Sequence, residues 1–458
     1  MRSSGLTSEE KLSSRKSDRT RNVKYSVITF GCRVNQSDSL AFEEQFVAAG
    51  AEPAPAESAD VVVVNTCSVT ASADQGARQT IRRIARINPD VRIVVTGCYA
   101  TREPAEVASL PNVERVVRND DKPHLPQLIW RSRQTEVADA GPDGLTTASR
   151  YGDGEGSCGA AIGPGVAGRT AFTLRVQTGC AEPCSYCIIP ETRGAPRSVP
   201  LPLLLKEVRR VHDAGYREIV LTGVHLGSYG RDLDPPVTLS DLLLSLRDQV
   251  CAGDAGDLQF RISSLEPMDC NREIVDLVSG STCFAPHFHL PLQHASSRML
   301  RAMRRPYDLE YYSDLVERIR SRIPNASIGS DIIVGFPGET EDDLEELVSY
   351  LETSPLTHLH VFPYSDRPGT VASRLGDRAD GAAVKARGAR LRQTGTMLVR
   401  RFLESQAGTV HRGLTLEDGS LVVTGNYLKV RIPPGLTRNQ WVKVRVTTIA
   451  PDLRGVLA

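Results

Sequence analysis

The pattern of apolar and polar residues divides this chain into three segments. In residues 25–97, apolar runs such as Val61-Val62-Val63-Val64 alternate with stretches in which apolar residues recur every three to four positions. Continuous apolar runs are typical of strands buried on both faces. The alternating order predicts an N-terminal parallel sheet with helices on both faces. The predicted strands are 25–31, 60–65 and 91–96, and the predicted helices are 37–49 and 75–87.

From Phe172 a second alternating series begins, in which helical stretches separate six predicted strands. Six strand–helix units are too few for a closed eightfold barrel, so the pattern predicts an open, partial (β/α)6 barrel. In such folds the functional residues gather at the carboxyl ends of the strands. The predicted strands are 172–176, 218–221, 258–262, 287–292, 327–334 and 358–362.

The last segment, from about Arg401, alternates apolar and polar residues strictly over 421–432 and 441–446. A period of two is typical of half-buried antiparallel strands. We therefore expect a mixed α/β protein with a small antiparallel β barrel at its end. The expected parts are a disordered tail at 1–24, an N-terminal domain at 25–133, a linker at 134–168, a central domain at 169–400 and a terminal domain at 401–458.

Composition narrows the class of protein further. The formal net charge is +0, which argues against a protein that coats nucleic acid but leaves room for a local basic patch. The tail has no apolar core and no apolar run is long enough to span a membrane, so we expect no secretory signal and no membrane partner. Ten cysteines without an export signal indicate a reducing, cytoplasmic environment and metal ligation rather than disulfides.

Three of these cysteines, Cys180, Cys184 and Cys187, are spaced C-x3-C-x2-C directly after the first strand of the central domain. Three thiolates can hold three irons of a [4Fe–4S] cluster and leave the fourth iron open to a small molecule. A structural zinc site is the alternative, but it usually needs a fourth Cys or His nearby. The spacing, with Tyr186 before the last cysteine, resembles that of radical S-adenosylmethionine (SAM) enzymes. That resemblance implies that SAM binds the open iron and is cleaved to a 5′-deoxyadenosyl radical.

Several other strand ends of the central domain are candidate SAM contacts. The glycine-rich segment 222–230 follows the second strand, where backbone can approach a ligand closely. An ordinary strand–helix turn is the alternative for that segment, and a satisfied loop residue is the alternative for His225. The full set of expected SAM contacts is Tyr186, Gly223, Val224, His225, Ser263, Glu266, Asp331 and Phe362.

The N-terminal domain carries a second set of cysteines. Cys32, Cys67 and Cys98 each follow a successive predicted strand, so they should converge on one edge of the sheet. Free cysteines are often small buried apolar residues, but three equivalent positions and the preference of thiolates for iron–sulfur or zinc favour a site. We expect a second three-cysteine cluster there, and inert thiols at Cys251, Cys270 and Cys283.

The terminal barrel has a candidate nucleic-acid face. Alternation should point Leu428, Val430 and Ile432 inward and leave a basic outer face with one aromatic residue. Such a face suits RNA phosphates and one stacked base. The alternative is that these charges only keep edge strands from aggregating. The residues of the expected RNA face are Tyr427, Lys429, Arg431, Lys443 and Arg445.

Taken together, these features resemble the methylthiotransferase family over nearly the whole of 25–449. In that family an N-terminal cluster domain precedes a radical SAM domain and a TRAM domain. The matching segments are 31–36, 65–70, 96–98, the Cys180 motif through Gly194, and 334–339. The resemblance implies two [4Fe–4S] clusters, SAM, and a low-potential electron donor such as flavodoxin or ferredoxin. Thr178 and the segment 293–296 depart from the family pattern.

Segments 65–70, 223–230, 261–266 and 359–365 look most like the subgroup that modifies N6-threonylcarbamoyladenosine. That resemblance implies 2-methylthio addition at position 37 of tRNA, with the anticodon stem-loop as partner. The alternatives are isopentenyl-adenosine in tRNA and an aspartate of a ribosomal protein. A further alternative is a radical SAM enzyme that inserts no sulfur, whose N-terminal cysteines bind zinc or an electron-transfer cluster.

Overall fold

The computed structural model describes residues 23–131, 162–164, 169–251, 257–449 and 452–458. The expected tail and linker therefore lie almost entirely outside the described residues. Among the described residues, no helix has the length and apolar character needed to cross a membrane.

The N-terminal domain is a five-stranded parallel sheet in the order β2-β1-β3-β4-β5. The four-valine run explains why helices cover both faces. Val62 and Val64 pack with Ile81 and Ile84 on one side of the sheet. Val61 and Val63 pack with the phenylalanines of the first helix on the other side. The elements are β1 Lys24–Thr29, α1 Arg33–Ala48, β2 Glu52–Pro53, β3 Val61–Thr66, α2 Ala71–Ile87, β4 Arg92–Gly97, α3 Cys98–Arg102, α4 Pro104–Ala108, β5 Val113–Val117, a 3-10 helix at Asn119–His124 and α5 Leu125–Arg131.

The central domain has six parallel β/α units, as predicted. Its strands form two three-stranded sheets, β6-β9-β10 and β11-β12-β13, joined by the parallel bridges Phe260–Phe284 and Ser264–His289. The elements are β6 Phe172–Arg175, β7 Gln177–Thr178, α6 Ile189–Arg193, β8 Arg197–Ser198, α7 Leu201–Asp213, β9 Glu218–Thr222, α8 Leu239–Cys251, β10 Gln259–Ile262, α9 Arg272–Gly280, β11 His287–His289, α10 Ser297–Ala302, α11 Leu309–Arg322, β12 Ser327–Val334, α12 Glu341–Thr353, β13 His358–Pro363 and α13 Gly381–Ser405; short 3-10 turns lie at Leu226–Ser228, Pro267–Asp269 and Ala372–Arg374.

The two faces of these six strands differ in chemistry. One face of every strand joins a single large apolar core, with residues such as Leu174, Leu221 and Ile332. The helices supply the rest of this core, so the apolar face is the outer one. The inner face, which we call the lumen, carries polar and ionisable residues. One such residue from each strand is Arg175, Glu218, Arg261, His289, Asp331 or His360.

The terminal domain is a closed five-stranded barrel in the order β14-β15-β16-β18-β17. Its turn at 424–427 docks against the central domain, where the buried Arg261 donates to the carbonyl oxygens of Gly425 (2.5 Å) and Thr424 (3.4 Å). The mixed α/β fold class expected from the sequence is thereby confirmed. The strands are β14 Val410–Leu416, β15 Leu421–Thr424, β16 Lys429–Arg431, β17 Trp441–Thr448 and β18 Arg454–Leu457.

Gly97 ends β4 immediately before Cys98, and its conformation forbids a side chain. Its φ is +99°, and a Cβ would lie 2.1 Å from the Thr66 carbonyl oxygen. We expect Gly97→Ala to lower the free energy of unfolding by more than about 3 kcal/mol, because backbone strain and overlap add. Gly50 also has a positive φ but has nothing within 4 Å, so Gly50→Ala should cost only about 1 kcal/mol. Urea unfolding followed by circular dichroism measures both; equal losses would contradict this account.

Candidate functional site

The first cysteine triad lies at the carboxyl end of β6, on the loop that follows β7. Gly179 gives this loop its path, since its φ is +77° and a Cβ would overlap the Ala195 carbonyl oxygen at 1.9 Å. Cys180, Cys184 and Cys187 are all partly exposed. Burial raises the pKa of the Cys187 thiol to about 12, and the neighbouring thiols Cys184 and Cys180 contribute to the rise. The three sulfurs therefore lie close enough to repel one another when ionised.

Arg305 connects this triad to two of the expected SAM contacts, and sequence reasoning missed it. Its guanidinium donates to Cys184 Sγ (3.2 Å) and to the Tyr186 hydroxyl (3.4 Å), and it pairs with the Glu266 carboxylate. The Arg305 side chain is almost fully buried. It thus holds Tyr186 and Glu266 beside the cysteine loop, although nothing in the local sequence marks it out.

Gln177, also missed, holds the expected SAM-contact loop at Gly223–Val224–His225. Its Oε1 accepts from the backbone amides of Val224 and His225 at 3.0 Å each. Its Nε2 donates to the carbonyl oxygens of Thr178 (2.8 Å) and Gly179 (2.7 Å). One side chain therefore joins the two loops that follow β7 and β9.

His225 is buried between these loops. Its Nε2 lies 2.7 Å from the Asp269 carboxylate. Burial opposes protonation, but hydrogen bonds to Asp269 and Cys180 raise the pKa of His225 to about 10. His225 is therefore held in a fixed position beside the Cys180 loop, and its role as a SAM contact stays a prediction.

The remaining expected SAM contacts lie along the lumen rather than at one point. Ser263 follows β10 and its hydroxyl lies 3.4 Å from that of Thr222. Asp331 contacts His289 (3.1 Å) and His360 (3.2 Å). Phe362 is 41% exposed and lies next to His360 on β13. The structure brings Tyr186 and Glu266 to the cysteine loop, and places Asp331 among histidines.

The second triad converges at the carboxyl edge of the N-terminal sheet. Cys32 caps α1 and is exposed, Cys67 follows β3, and Cys98 begins α3. A Cβ on Gly31 would lie 2.5 Å from Cys67 Sγ, so the ends of β1 and β3 meet closely. Burial raises the pKa of Cys67 to about 12, and both Cys32 and Cys98 contribute to the rise. The three thiols are therefore neighbours, as the order of strands indicated.

Buried positive charge surrounds the Cys98 end of this triad. Asp38 pairs with Lys122 (2.7 Å), Arg175 (2.9 Å) and Arg193 (3.2 Å), and all four side chains are at most 9% exposed. One carboxylate thus faces three cations, and two of these, Lys122 and Arg193, act on Cys98. Although burial opposes ionisation, Arg193 and Lys122 lower the pKa of the Cys98 thiol.

The buried cations beside Cys98 show whether a metal cluster fits the second triad. Excess buried charge is costly unless an opposite charge compensates it. Thiolates supply that charge, and a [4Fe–4S] cluster held by three thiolates is itself anionic. The residues present therefore fit an iron–sulfur cluster.

Arg193 also links the two triads. It ends α6, six positions after Cys187, and contacts both Asp38 and the Asn35 side chain of α1. The carbonyl oxygen of Thr192 accepts from the Asn119 side chain at 2.7 Å. The segment that follows one triad is thus packed against the other.

The outer face of the terminal barrel is basic. Lys429, Arg431, Lys443 and Arg445 are all exposed, while Val430 and Val444 point into the barrel.

Tyr427 does not lie on this face, which corrects the expectation from alternation. It precedes β16 in a turn with φ +63°. The Arg261 guanidinium lies 3.8 Å from its ring centroid, His287 packs edge-on at 4.5 Å, and its hydroxyl accepts from Arg33 at 2.7 Å. The alternation was extended beyond the end of the strand, where period two no longer applies.

Two family models match the chain. One, described as an uncharacterized protein family, UPF0004, matches residues 24–118, and the radical SAM superfamily matches 174–351. Among solved structures, the radical S-adenosylmethionine methyltransferase TsrM from Kitasatospora setae has a TM-score of 0.55 at 16% identity. Its alignment covers 77% of each chain, and this likeness shows the fold alone.

Curated relatives match most of the chain. A threonylcarbamoyladenosine tRNA methylthiotransferase, MtaB, of Bacillus subtilis is 36% identical, with 88% of each chain covered. Its namesake from Aquifex aeolicus is 35% identical, covering 89% of this chain and 96% of the relative. A tRNA-2-methylthio-N(6)-dimethylallyladenosine synthase of Carboxydothermus hydrogenoformans is 32% identical, covering 77% of this chain and 79% of the relative.

We expect Asp38→Asn to lower the free energy of unfolding by about 3–5 kcal/mol, because three buried cations lose their carboxylate. Burial opposes ionisation of Asp38, but Lys122, Arg193 and Arg175 hold its pKa well below the usual range. The stabilisation is thus complete at neutral pH and declines as pH falls below the ordinary carboxyl value, near about 4.

The matched control is Asp120→Asn, since Asp120 pairs with Arg197 at an exposed site and should contribute no more than about 1 kcal/mol. Urea unfolding of both variants at neutral and acid pH measures the difference. A loss for Asp38→Asn no larger than that of the control would contradict the account.

Proposed function

This chain belongs to the methylthiotransferase family of radical SAM proteins, and from that premise we propose that it adds a methylthio group to carbon 2 of N6-threonylcarbamoyladenosine at position 37 of tRNA. The carrying observation is the packing of α6, which follows the first cysteine triad, against the second triad. Two three-cysteine sets joined by α6 suit a reaction that needs a radical and a sulfur donor in the same place. The Bacillus subtilis and Aquifex aeolicus relatives, both named for threonylcarbamoyladenosine, are 36% and 35% identical, against 32% for the dimethylallyladenosine synthase.

In this proposal Cys180, Cys184 and Cys187 hold one [4Fe–4S] cluster, and Cys32, Cys67 and Cys98 hold a second. When bound, these clusters supply the electron that cleaves SAM and a site at which sulfur is held. The C2–H bond of adenine has no useful acidity, so acid–base catalysis by side chains alone cannot open it. That requirement accounts for radical chemistry in a protein that acts on this position.

The chain's own side chains orient the expected SAM contacts and stabilise negative charge on the second triad. Arg305 fixes Tyr186 and Glu266 beside the first triad, and Gln177 fixes the Gly223–Val224–His225 loop against it. Gly223, Val224, Tyr186 and Glu266 are thus the SAM contacts that the geometry supports best. Arg193 and Lys122 stabilise negative charge on the second triad.

The tRNA contact is proposed for the anticodon stem-loop in the cytoplasm, with Lys429, Arg431, Lys443 and Arg445 contacting its phosphates. Four exposed cations, two on β16 and two on β17 with β18 between these strands, support this role. The target base must leave its stack to enter the lumen, which costs least in a single-stranded loop. A low-potential donor such as flavodoxin or ferredoxin would supply electrons.

Mass spectrometry of tRNA nucleosides from cells lacking this protein tests the substrate. We expect 2-methylthio-N6-threonylcarbamoyladenosine to disappear, with its unthiolated precursor accumulating in its place. A cell with no redundant enzyme is the required background. Unchanged 2-methylthio-N6-threonylcarbamoyladenosine, or loss of the isopentenyl-adenosine product instead, would refute the proposal.

Replacing each triad by alanine separates their roles. The variant without Cys32, Cys67 and Cys98 should fall from about eight to about four irons per chain, still cleave SAM with a chemical reductant, and yield no methylthio product. The variant without Cys180, Cys184 and Cys187 should lose SAM cleavage as well. Iron analysis and 5′-deoxyadenosine assays on anaerobically purified protein measure this. About four irons per chain in the unaltered protein would contradict the proposal of two clusters.

A further inference from the structure

A row of four imidazoles lines the lumen on β11 and β13, outside both cysteine triads. The ring centroids of His289 and His360 are 5.3 Å apart, those of His358 and His360 are 5.7 Å apart, and those of His287 and His358 are 6.2 Å apart. Asp331, on the intervening strand β12, pairs in register with His360. The apolar neighbours of these residues face the helices, so all five side chains lie on the lumen side.

Hydrogen bonds give this row a direction. The Ser264 hydroxyl is hydrogen-bonded to His289 Nδ1 at 3.1 Å, and His289 Nε2 lies 3.1 Å from Asp331 Oδ1. His360 Nδ1 lies 3.2 Å from the same oxygen. Asp331 therefore contacts both imidazoles, and its hydrogen bond is to Nδ1 of His360. Nε2 of His360 has no hydrogen-bond partner among the described residues, and its side chain is 54% exposed.

The histidines of the row differ in the direction in which their surroundings shift the pKa. The hydrogen bond to Asp331 raises the pKa of His360. Burial lowers the pKa of His358 to about 4, with His289 and His360 adding to the effect, and burial and Arg261 lower that of His287. His360 is thus the member of the row whose pKa is shifted upward by Asp331 and whose Nε2 is unused among the described residues.

The side chain of Arg33 places a cation close to this row. Arg33, beside Cys32, donates to the Tyr427 hydroxyl, and its charge acts on His287. It has no carboxylate partner in the described part of the chain. Arg261, by contrast, is neutralised by Glu218 at 2.9 Å. Arg33 therefore adds positive charge beside the row that no described carboxylate compensates.

The two classes of relative differ in what their named substrates place on N6 of adenosine. A threonylcarbamoyl group ends in a carboxylate, whereas a dimethylallyl group is a hydrocarbon. Desolvating the protonated His360 against a hydrocarbon would leave a charged donor without a partner, which is costly. A carboxylate would satisfy it with a charge-assisted hydrogen bond.

We propose that Nε2 of His360, oriented by Asp331 and His289, donates to the threonine carboxylate of the substrate base and thereby selects it over bases with an apolar N6 group. His360 is then a substrate-binding residue, while Asp331 and His289 are positioning residues. This inference rests on the proposed substrate, but it concerns binding and is measured apart from turnover.

The test compares two synthetic anticodon stem-loops that differ only in the modified base, one with the threonine carboxylate and one with its neutral carboxamide. Fluorescence anisotropy with the cluster-loaded protein gives the ratio of their Kd values. We expect the unaltered protein to prefer the carboxylate about 10-fold or more, the range for a hydrogen bond to a charged group. His360→Leu should bring the ratio close to one.

His212→Leu, on the outer helix α7, is the matched control and should keep the original ratio. Iron content and a circular dichroism spectrum equal to those of the unaltered protein show that His360→Leu is folded and cluster-loaded; Asp331→Asn is a second variant expected to reduce the ratio. An unaltered ratio in His360→Leu, or no preference in the unaltered protein, would overturn the inference.

Two further outcomes are separable. Loss of the preference in EDTA would show that a cation held by His289, Asp331 and His360 supplies the charge, and would overturn direct recognition. Retained preference with no methylthio product from the carboxylate stem-loop would refute the proposed function while leaving the binding inference standing.

Discussion

The rest of the structure depends on one buried carboxylate, Asp38, and the three cations that surround it. Asp38 belongs to the helix that follows Cys32, and Lys122 to the same N-terminal domain, whereas Arg175 ends the first barrel strand and Arg193 follows Cys187. The network therefore joins two domains at a place with almost no access to water. Because such a network is strongly destabilised by loss of one partner, it fixes the relative position of the two cysteine triads.

That position closes the open side of the barrel. On one edge the Ser37 hydroxyl donates to the Thr173 carbonyl oxygen of β6 (3.1 Å). On the other, past β13, Arg367 pairs with Asp74 (2.7 Å) and the Ala71 amide donates to Ser365 Oγ (2.9 Å). The N-terminal domain thus bridges the two edges of a six-stranded barrel. The lumen, with its histidine row, becomes a space bounded by both domains, which the proposed function assigns to the target base.

The sequence was sufficient for features whose signal is local. Buried strands such as Val61–Thr66 could be recognised from their composition, and cysteines at successive strand ends must meet because parallel strands end at one edge. The closed barrel followed from strict alternation. Tyr427 was misplaced for the same reason, because alternation says nothing once the strand has ended and the chain turns with a positive φ.

The residues that sequence reasoning missed act across long separations. Gln177 reads as part of a strand, yet it holds a loop about fifty residues away. Arg305 contacts Cys184 across more than a hundred positions, and Arg193 reaches Asp38 in another domain. Single polar residues carry no periodicity, so their partners emerge only from the folded arrangement. The inner face of the barrel is a similar case, since alternate polar residues such as His287 and His289 on β11 are seen to line one lumen only when the six strands are assembled.

The central claim is that both triads hold clusters that face one lumen. Diffraction at the iron edge from anaerobic crystals of the reconstituted protein tests it most directly. The account predicts two tetranuclear iron peaks, one among Cys32, Cys67 and Cys98 and one among Cys180, Cys184 and Cys187, each with an iron that lacks a protein ligand. A single iron peak, a zinc signal at either triad, or a fourth protein ligand on either cluster would contradict it.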